Sequence, residues 1–172
     1  MGIDRVRSAL RLALALLLFH LLQITLLARF RLWGAMPLPM PLLAVAAGLG
    51  GGGLWGGCFG LAAGIVCDSA MEESSLLFTV LLTVLGFFSG FLGEFVVARG
   101  FPSYLLLSLA GLVICTGMQM LLFYMRIPTP LPVLLVTGGK QLLLTLPFLI
   151  PVYWIIRWTL RPARAAKRKT TF

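Results

Sequence analysis

Asp68, Glu94 and Lys140 are charged residues within or at the ends of long apolar segments, and they have the greatest potential for chemistry. A charged side chain at the centre of a membrane helix costs about 3 kcal/mol unless it is paired. Lys140 lies about 12 Å into its apolar segment. Because Asp68 belongs to the same outer half, we expect the two to form an ion pair. The alternatives are a ligand or proton-coupling site at Lys140, or extension of its ammonium group to the surface.

Groups that bind metals or attack substrates are few and scattered. His20 is the only histidine, and the three cysteines lie in apolar segments without a C-x-x-C spacing (Cys58, Cys67, Cys115). We interpret them as packing residues and expect no metal site, cofactor or disulfide. No motif of a known catalytic site occurs, so we do not expect an enzyme. His20 with Gln23, and Gln119 with Gln141, are candidates for hydrogen bonds between helices.

The composition excludes a soluble enzyme. Of 172 residues, 60% are hydrophobic and 11% are charged, whereas a soluble domain has about 25% charged residues. The apolar residues fall in runs of nearly membrane-spanning length. We therefore expect a membrane protein that crosses the bilayer several times and has hardly any soluble part.

The net charge of +9 comes mainly from the two ends of the chain. Arginines precede the first apolar segment and basic residues follow the last (Arg5, Arg7, Arg11; Arg157, Arg161, Arg164, Lys167, Arg168, Lys169). Basic residues beside membrane segments stay on the cytoplasmic side and contact anionic lipid headgroups. We expect these contacts, and we expect no binding to nucleic acid because no aromatic residue interrupts the basic tail, residues 161–172, before Phe172.

The lengths of the apolar segments, and the glycines and prolines that separate them, predict an all-α bundle of six transmembrane helices. The expected spans cover residues 9–28, 38–49, 54–68, 76–97, 103–125 and 133–156. The second and third are short, and a Gly-rich turn at residues 50–53 joins them. Residues 1–160 form one transmembrane domain in this interpretation, and residues 161–172 form a basic cytoplasmic tail. An even number of spans keeps both basic termini in the cytoplasm.

A series of small residues recurs at every fourth position. Gly52, Gly56, Gly60, Gly64 and Asp68 form the first series, and the fourth span repeats it more briefly with Gly86, Gly90 and Glu94. This spacing places the residues along one helix face, where a missing side chain allows another helix to approach closely. We expect both series to form packing faces. Packing within the protein and a docking groove for a partner's helix are both open at this point.

The segment Gly60-Leu-Ala-Ala-Gly64-Ile-Val-Cys-Asp68 resembles the G-x-x-x-G-x-x-x-D segment of the rod shape-determining protein MreD family. The resemblance continues through Gly86-Phe-Phe-Ser-Gly90 to the aromatic pair Phe123-Tyr124, and covers residues 37–125. One departure concerns the loop after Asp68, which is acidic here and lacks the family's glycine.

The resemblance implies a non-enzymatic scaffold of the bacterial cell-elongation complex, located in the inner membrane. Members of this family bind MreC, a single-span partner, and act with MreB filaments and peptidoglycan-synthesis enzymes, without a small-molecule substrate. Their fold is similar to that of the substrate-binding S-components of energy-coupling-factor vitamin transporters, which is the alternative function. In that alternative, Ala9-x-x-x-Ala13 on the first helix would dock the transporter. A third alternative, a channel or proton-coupled transporter, requires Lys140 and Glu94 to line one pathway.

Overall fold

The computed structural model describes residues 2–22, 25, 37–70, 76–95, 100–126 and 130–168. These residues form seven α-helices and no strand: α1 (Gly2–Leu22), α2 (Met40–Gly51), α3 (Gly53–Ala70), α4 (Leu77–Phe95), α5 (Phe101–Arg126), α6 (Leu131–Thr145) and α7 (Leu149–Arg168). The all-α prediction is therefore confirmed for the described part of the chain.

A single 3₁₀ turn, Leu146–Phe148, connects α6 to α7, so the two helices run as one rod. Pro147 lacks a backbone N–H and cannot continue the α-helical hydrogen bonding, which explains the tighter turn. The apolar stretch of this rod covers Leu131–Trp158, 28 residues.

Three described stretches are long and apolar enough to cross a membrane: Leu77–Phe95, Phe101–Arg126 and Leu131–Trp158. They correspond to the last three predicted spans and indicate a membrane protein. The other apolar helical stretches are shorter (Ala13–Leu22, Met40–Gly51, Gly53–Ser69). Six complete crossings therefore stay a prediction.

The shortest of the seven α-helices, α2, lies at the centre of the bundle. Every residue from Met40 to Leu49 is buried, as expected for a helix that is apolar on all sides. Its 12 residues cover about 18 Å, whereas the hydrocarbon core is about 30 Å thick. It begins where the Leu38 N–H donates a hydrogen bond of 3.2 Å to the Thr145 hydroxyl, at the end of α6. α2 is thus a buried half-length helix.

The predicted glycine turn is reduced to one residue, Gly52, between α2 and α3. Its φ of +100° lies in the left-handed region that favours glycine. Its N–H donates to the Gly48 carbonyl at 2.8 Å, and its own carbonyl accepts from the Gly56 N–H at 2.9 Å. The two helices therefore reverse direction within a minimum of chain, which brings their backbones together. We call this end of the bundle the Gly52 end, and the opposite end of α3 the Asp68 end.

The remaining helices are arranged around α2. It contacts α3, α4, α5 and α7, with a smaller contact to α1. The most extensive contact in the bundle joins α3 to α4, while α1 lies mainly on α7 and α6 lies on α5. α6 is consequently the most peripheral of the described helices.

Candidate functional site

The two glycine series face each other across the α3–α4 contact. A Cβ atom added at Gly56 would lie less than 3 Å from the Gly86 carbonyl oxygen, and one added at Gly60 would lie equally close to the Leu82 carbonyl oxygen. One added at Gly64 would meet the Thr79 backbone. Any side chain beyond hydrogen would therefore force the two helix backbones apart.

The contact extends to α2 at the Gly52 end. A Cβ on Gly48 would lie 2.9 Å from the Gly90 nitrogen, and a Cβ on Gly56 would lie 2.6 Å from the Gly48 Cα. Ser89, also buried here, donates its hydroxyl to the Gly86 carbonyl at 3.0 Å. Three backbones thus meet without intervening side chains. Both series are used within the protein, and α4 occupies the groove that we considered as a docking site for a partner.

Asp68 ends the first series and caps a different helix. Its carboxylate accepts hydrogen bonds from the Phe78 N–H at 3.2 Å, the Thr79 N–H at 2.8 Å and the Thr79 hydroxyl at 2.6 Å. These two amides belong to the first turn of α4, whose N–H groups have no partner within the helix. A carboxylate in this position also interacts favourably with the helix dipole. Asp68 therefore locks the Asp68 end of the α3–α4 hairpin.

Glu94 ends the second series at the opposite end of the same hairpin. Its Oε1 lies beside Gly52, close enough that a Cβ on that residue would collide with it. The side chain is otherwise exposed. The two carboxylates therefore mark the two ends of the α3–α4 contact.

The expected ion pair between Asp68 and Lys140 is wrong. Asp68 contacts α4, whereas Lys140 is exposed on α6, a helix that packs on α5. The described part of the structure contains no ion pair between them. Their depths are similar, since Asp68 lies about 24 Å from the level of Gly52 along α3, and Lys140 lies about 28 Å from that level, counted along α2 and then about 7 Å beyond Thr145 along α6. Depth follows from position in the sequence, but the neighbouring helix does not, and Lys140 faces away from the bundle.

Lys140 and Glu94 lie at opposite ends of the bundle. Thr145 is level with Leu38 at the start of α2, and Glu94 is level with Gly52 at its end. Counting 1.5 Å per residue along α6 and α2, the two charged residues are separated by about 28 Å along the bundle. Both side chains are exposed, and a pathway lined by the two residues stays an untested alternative.

Polar side chains do connect α5, α6 and the start of α2. Gln141 donates its amide N–H to the Gln119 side-chain oxygen at 3.2 Å, which confirms the predicted pair. Thr145 donates its hydroxyl to the Gln141 carbonyl at 2.7 Å while accepting from the Leu38 N–H. The sequence did not single out Thr145. Its signal was only its spacing of one helical turn from Gln141.

An apolar cleft of about 430 Å³ separates α1 from α3. Ala13 and His20 line it from α1, and Trp55 and Phe59 line it from α3. The buried Nδ1 atom of His20 has no hydrogen-bond partner in the described structure. Gln23, the expected partner of His20, lies outside the described residues.

A smaller cavity of about 60 Å³ lies at the Gly52 end, between α2, α5 and α7. Tyr104, Tyr153 and Arg157 line it. The ring centroids of the two tyrosines are 5.1 Å apart, and Phe101 completes an aromatic cluster with them. Sequence reasoning missed this site because its residues are about 50 positions apart in the chain.

The described residues contain no group of three histidine, cysteine or acidic side chains able to hold a metal ion. Cys67 and Cys115 are buried thiols, and Cys58 is exposed. The acidic loop residues Glu72 and Glu73 lie outside the described part of the chain.

Comparisons of the chain with protein-family models, with curated proteins and with solved structures found no match.

Proposed function

We propose that this protein is a non-enzymatic scaffold of the bacterial cell-elongation complex. It resides in the inner membrane with both termini in the cytoplasm and binds an MreC-like single-span protein. Through that partner it joins the other members of the complex, which build peptidoglycan during elongation.

The observation that carries the proposal is the shared role of the residues that resemble the MreD motif. Gly60, Gly64 and Asp68 all contact the same helix, α4, and Gly86 and Gly90 contact α2 and α3 in return. Glycines recur in many apolar segments, so their spacing alone is weak support for a resemblance. A motif whose residues all take part in one helix contact is more specific support. The motif thus supports a fold shared with that family, and the family's function follows as the proposal.

The glycine faces are occupied, so the partner needs another surface, and α6 offers one. Leu134, Gly138, Gln141 and Thr145 are its buried residues, and its other faces are exposed. Lys140 lies on this exposed surface, where a cation facing lipid costs about 3 kcal/mol. A partner helix that places an acidic side chain beside Lys140 would recover much of that cost. This complementarity favours a single-span partner on the outer face of α6.

Affinity purification in mild detergent followed by mass spectrometry tests the proposal. The wild-type protein should retain a single-span protein with a coiled-coil segment, together with peptidoglycan-synthesis enzymes. Lys140→Met should lower the recovery of that partner about tenfold or more. Leu135→Met is the matched control, since Leu135 is 72% exposed on the same helix. Equal recovery with Lys140→Met and Leu135→Met would reject Lys140 as the contact, and recovery of no single-span partner would reject the scaffold.

The S-component alternative is favoured by one observation, the cleft between α1 and α3. Ala13, the second small residue of Ala9-x-x-x-Ala13, lines it, so α1 presents a small side chain beside an open apolar groove. The same purification would then recover a transmembrane coupling subunit with paired ATPases. An Ala13→Leu variant should abolish that recovery while leaving a partner on α6 in place.

A further inference from the structure

The cavity at the Gly52 end is surrounded by hydrogen-bond donors. Arg157 donates one N–H to the Tyr153 hydroxyl at 3.0 Å and lies 5.7 Å from the centre of its ring. A guanidinium group has five N–H donors, so most of them stay available. Arg157 forms no ion pair with any described residue. The tyrosine therefore positions a cation at the mouth of the cavity without neutralising its charge.

A buried hydroxyl lies deeper in the same site. Tyr104 is only 1% exposed, yet its hydroxyl has no hydrogen-bond partner in the described structure. Ser108, one helical turn further along α5, is a polar neighbour of this hydroxyl, but neither buried hydroxyl forms a hydrogen bond of standard geometry. An unsatisfied buried polar group costs about 1–3 kcal/mol. This cost is removed if a bound molecule accepts a hydrogen bond from Tyr104.

Arg157 is the one charged side chain among the residues that line the cavity, and Glu94 lies beside Gly52 at the same end of the bundle without lining it. Gly100 at the amino end of α5 and Gly50 near the carboxyl end of α2 both border the cavity. The partial charges of these two helix ends have opposite signs and largely offset each other. The lining side chains supply one guanidinium and two phenolic hydroxyls, and no carboxylate. The site therefore suits an anion that accepts several hydrogen bonds.

We propose that this cavity binds the phosphate group of an anionic phospholipid. A water molecule needs about 10–15 Å³ of such a cavity, so its 60 Å³ accommodates a group larger than one water and comparable with a phosphate. Arg157 contacts the phosphate at the exposed mouth, and Tyr104 contacts it from below. Exposed apolar side chains such as Leu109 on α5 and Ile150 on α7 lie further towards the middle of the bundle, where acyl chains would lie. Basic pockets between membrane helices bind lipid headgroups in this way.

The inference is independent of the proposed scaffold function, since it concerns lipid and not a protein partner. Further cations follow Arg157 along α7, at Arg161, Arg164, Lys167 and Arg168. They attract anionic lipid without selecting a site. The test must therefore separate one specific headgroup from this general attraction.

Native mass spectrometry of the purified full-length protein, titrated with phosphatidylglycerol, measures the binding of single lipid molecules. Arg157→Gln should weaken the tightest binding event about tenfold or more, because a charge-assisted hydrogen bond is lost. Tyr104→Phe removes only the hydroxyl and should weaken it about threefold. Arg161→Gln is the control for charge, one turn further along the same helix, and should leave that event unchanged. If Arg157→Gln does not fold, the Tyr104→Phe variant still decides the matter.

Three results would overturn the proposal. The first is equal weakening by Arg157→Gln and Arg161→Gln with no effect of Tyr104→Phe, which would indicate general charge attraction only. The second is protection of the protein against thermal unfolding by inorganic phosphate alone to the same extent as by phosphatidylglycerol, which would identify a soluble phosphate site. Zwitterionic phosphatidylcholine should bind more weakly than phosphatidylglycerol, and equal binding of the two lipids would also contradict it.

Discussion

Replacing Gly60 by alanine should separate α3 from α4. The new Cβ would lie less than 3 Å from the Leu82 carbonyl oxygen, and backbone cannot rotate out of the way as a side chain can. Non-bonded heavy atoms prefer about 3.5–4.0 Å, so the helices must move apart by about 0.5 Å or more. Neighbouring contacts along both glycine series loosen together, and overpacking of this kind typically costs about 1–3 kcal/mol.

Gly117→Ala provides the matched control, because a Cβ at Gly117 would meet nothing within 4 Å. Alanine is favoured over glycine in a helix by about 0.5–1 kcal/mol, and this gain is common to both variants. Their difference therefore isolates the cost of the α3–α4 contact. We expect Gly60→Ala to unfold at a lower temperature than Gly117→Ala by roughly 4–8 °C, for about 2 kcal/mol.

The assay is thermal unfolding of the purified protein in detergent, followed by the loss of near-UV circular dichroism. Gly139→Ala, at a second glycine with no atom within 4 Å of an added Cβ, checks that the control is general. Equal unfolding temperatures for Gly60→Ala and Gly117→Ala would refute the reasoning, since no backbone contact would then depend on glycine.

Three further predictions concern the cap, the polar pair and the topology. Asp68→Ala should lower the free energy of unfolding by about 1–2 kcal/mol and speed amide hydrogen exchange at Thr79, whereas combining it with Lys140→Met should show no coupling in a double-mutant cycle. Coupling above about 0.5 kcal/mol would restore the ion pair. A cycle of Gln119→Leu and Gln141→Leu should give a coupling of about 0.6 kcal/mol, and a value of zero would show that the hydrogen bond contributes nothing. Reporter fusions in the loop after Asp68 and at the carboxyl terminus should report opposite sides of the membrane, and the same side for both would remove the proposed topology.

Sequence patterns predicted which helices form better than they predicted which helices contact one another. The all-helical class and the long apolar helices follow from composition, and the turn at Gly52 follows from four consecutive glycines. The half-length of α2 was also readable from the spacing between Pro41 and Gly50. Its position at the centre was not, because an apolar helix has the same composition whether it faces lipid or protein.

The candidate site also shows that helix faces were predictable from the sequence and that contact partners were not. The spacing of the glycines predicts which residues share a helix face, and that face is the one in contact. Asp68 was recognised as significant because a carboxylate in an apolar segment needs partners. The sequence favoured a cation as its partner, whereas the structure gives it the unpaired amides at the start of α4. Unpaired backbone N–H donors are present at the amino end of every helix, so no residue type marks them in a sequence.

For Lys140, the sequence predicted the position along the helix but not the direction in which the side chain points. Its depth in the membrane followed from counting residues, but its direction depended on which face of α6 meets α5. Gly138 and Gln141 settle that direction by packing against α5. The same residues leave Lys140 on the outside, where it becomes the central feature of the proposed partner surface.

Photocrosslinking in growing cells tests this surface most directly. A photoreactive amino acid at Val136 or Leu143, which flank Lys140 on α6 and are 56% and 63% exposed, should crosslink to one single-span membrane protein. The same amino acid at Leu106, which is 70% exposed on α5, should give only lipid adducts. Lipid adducts alone at all three positions, or the same protein adduct at Leu106 as at Val136, would contradict a scaffold that binds its partner through α6.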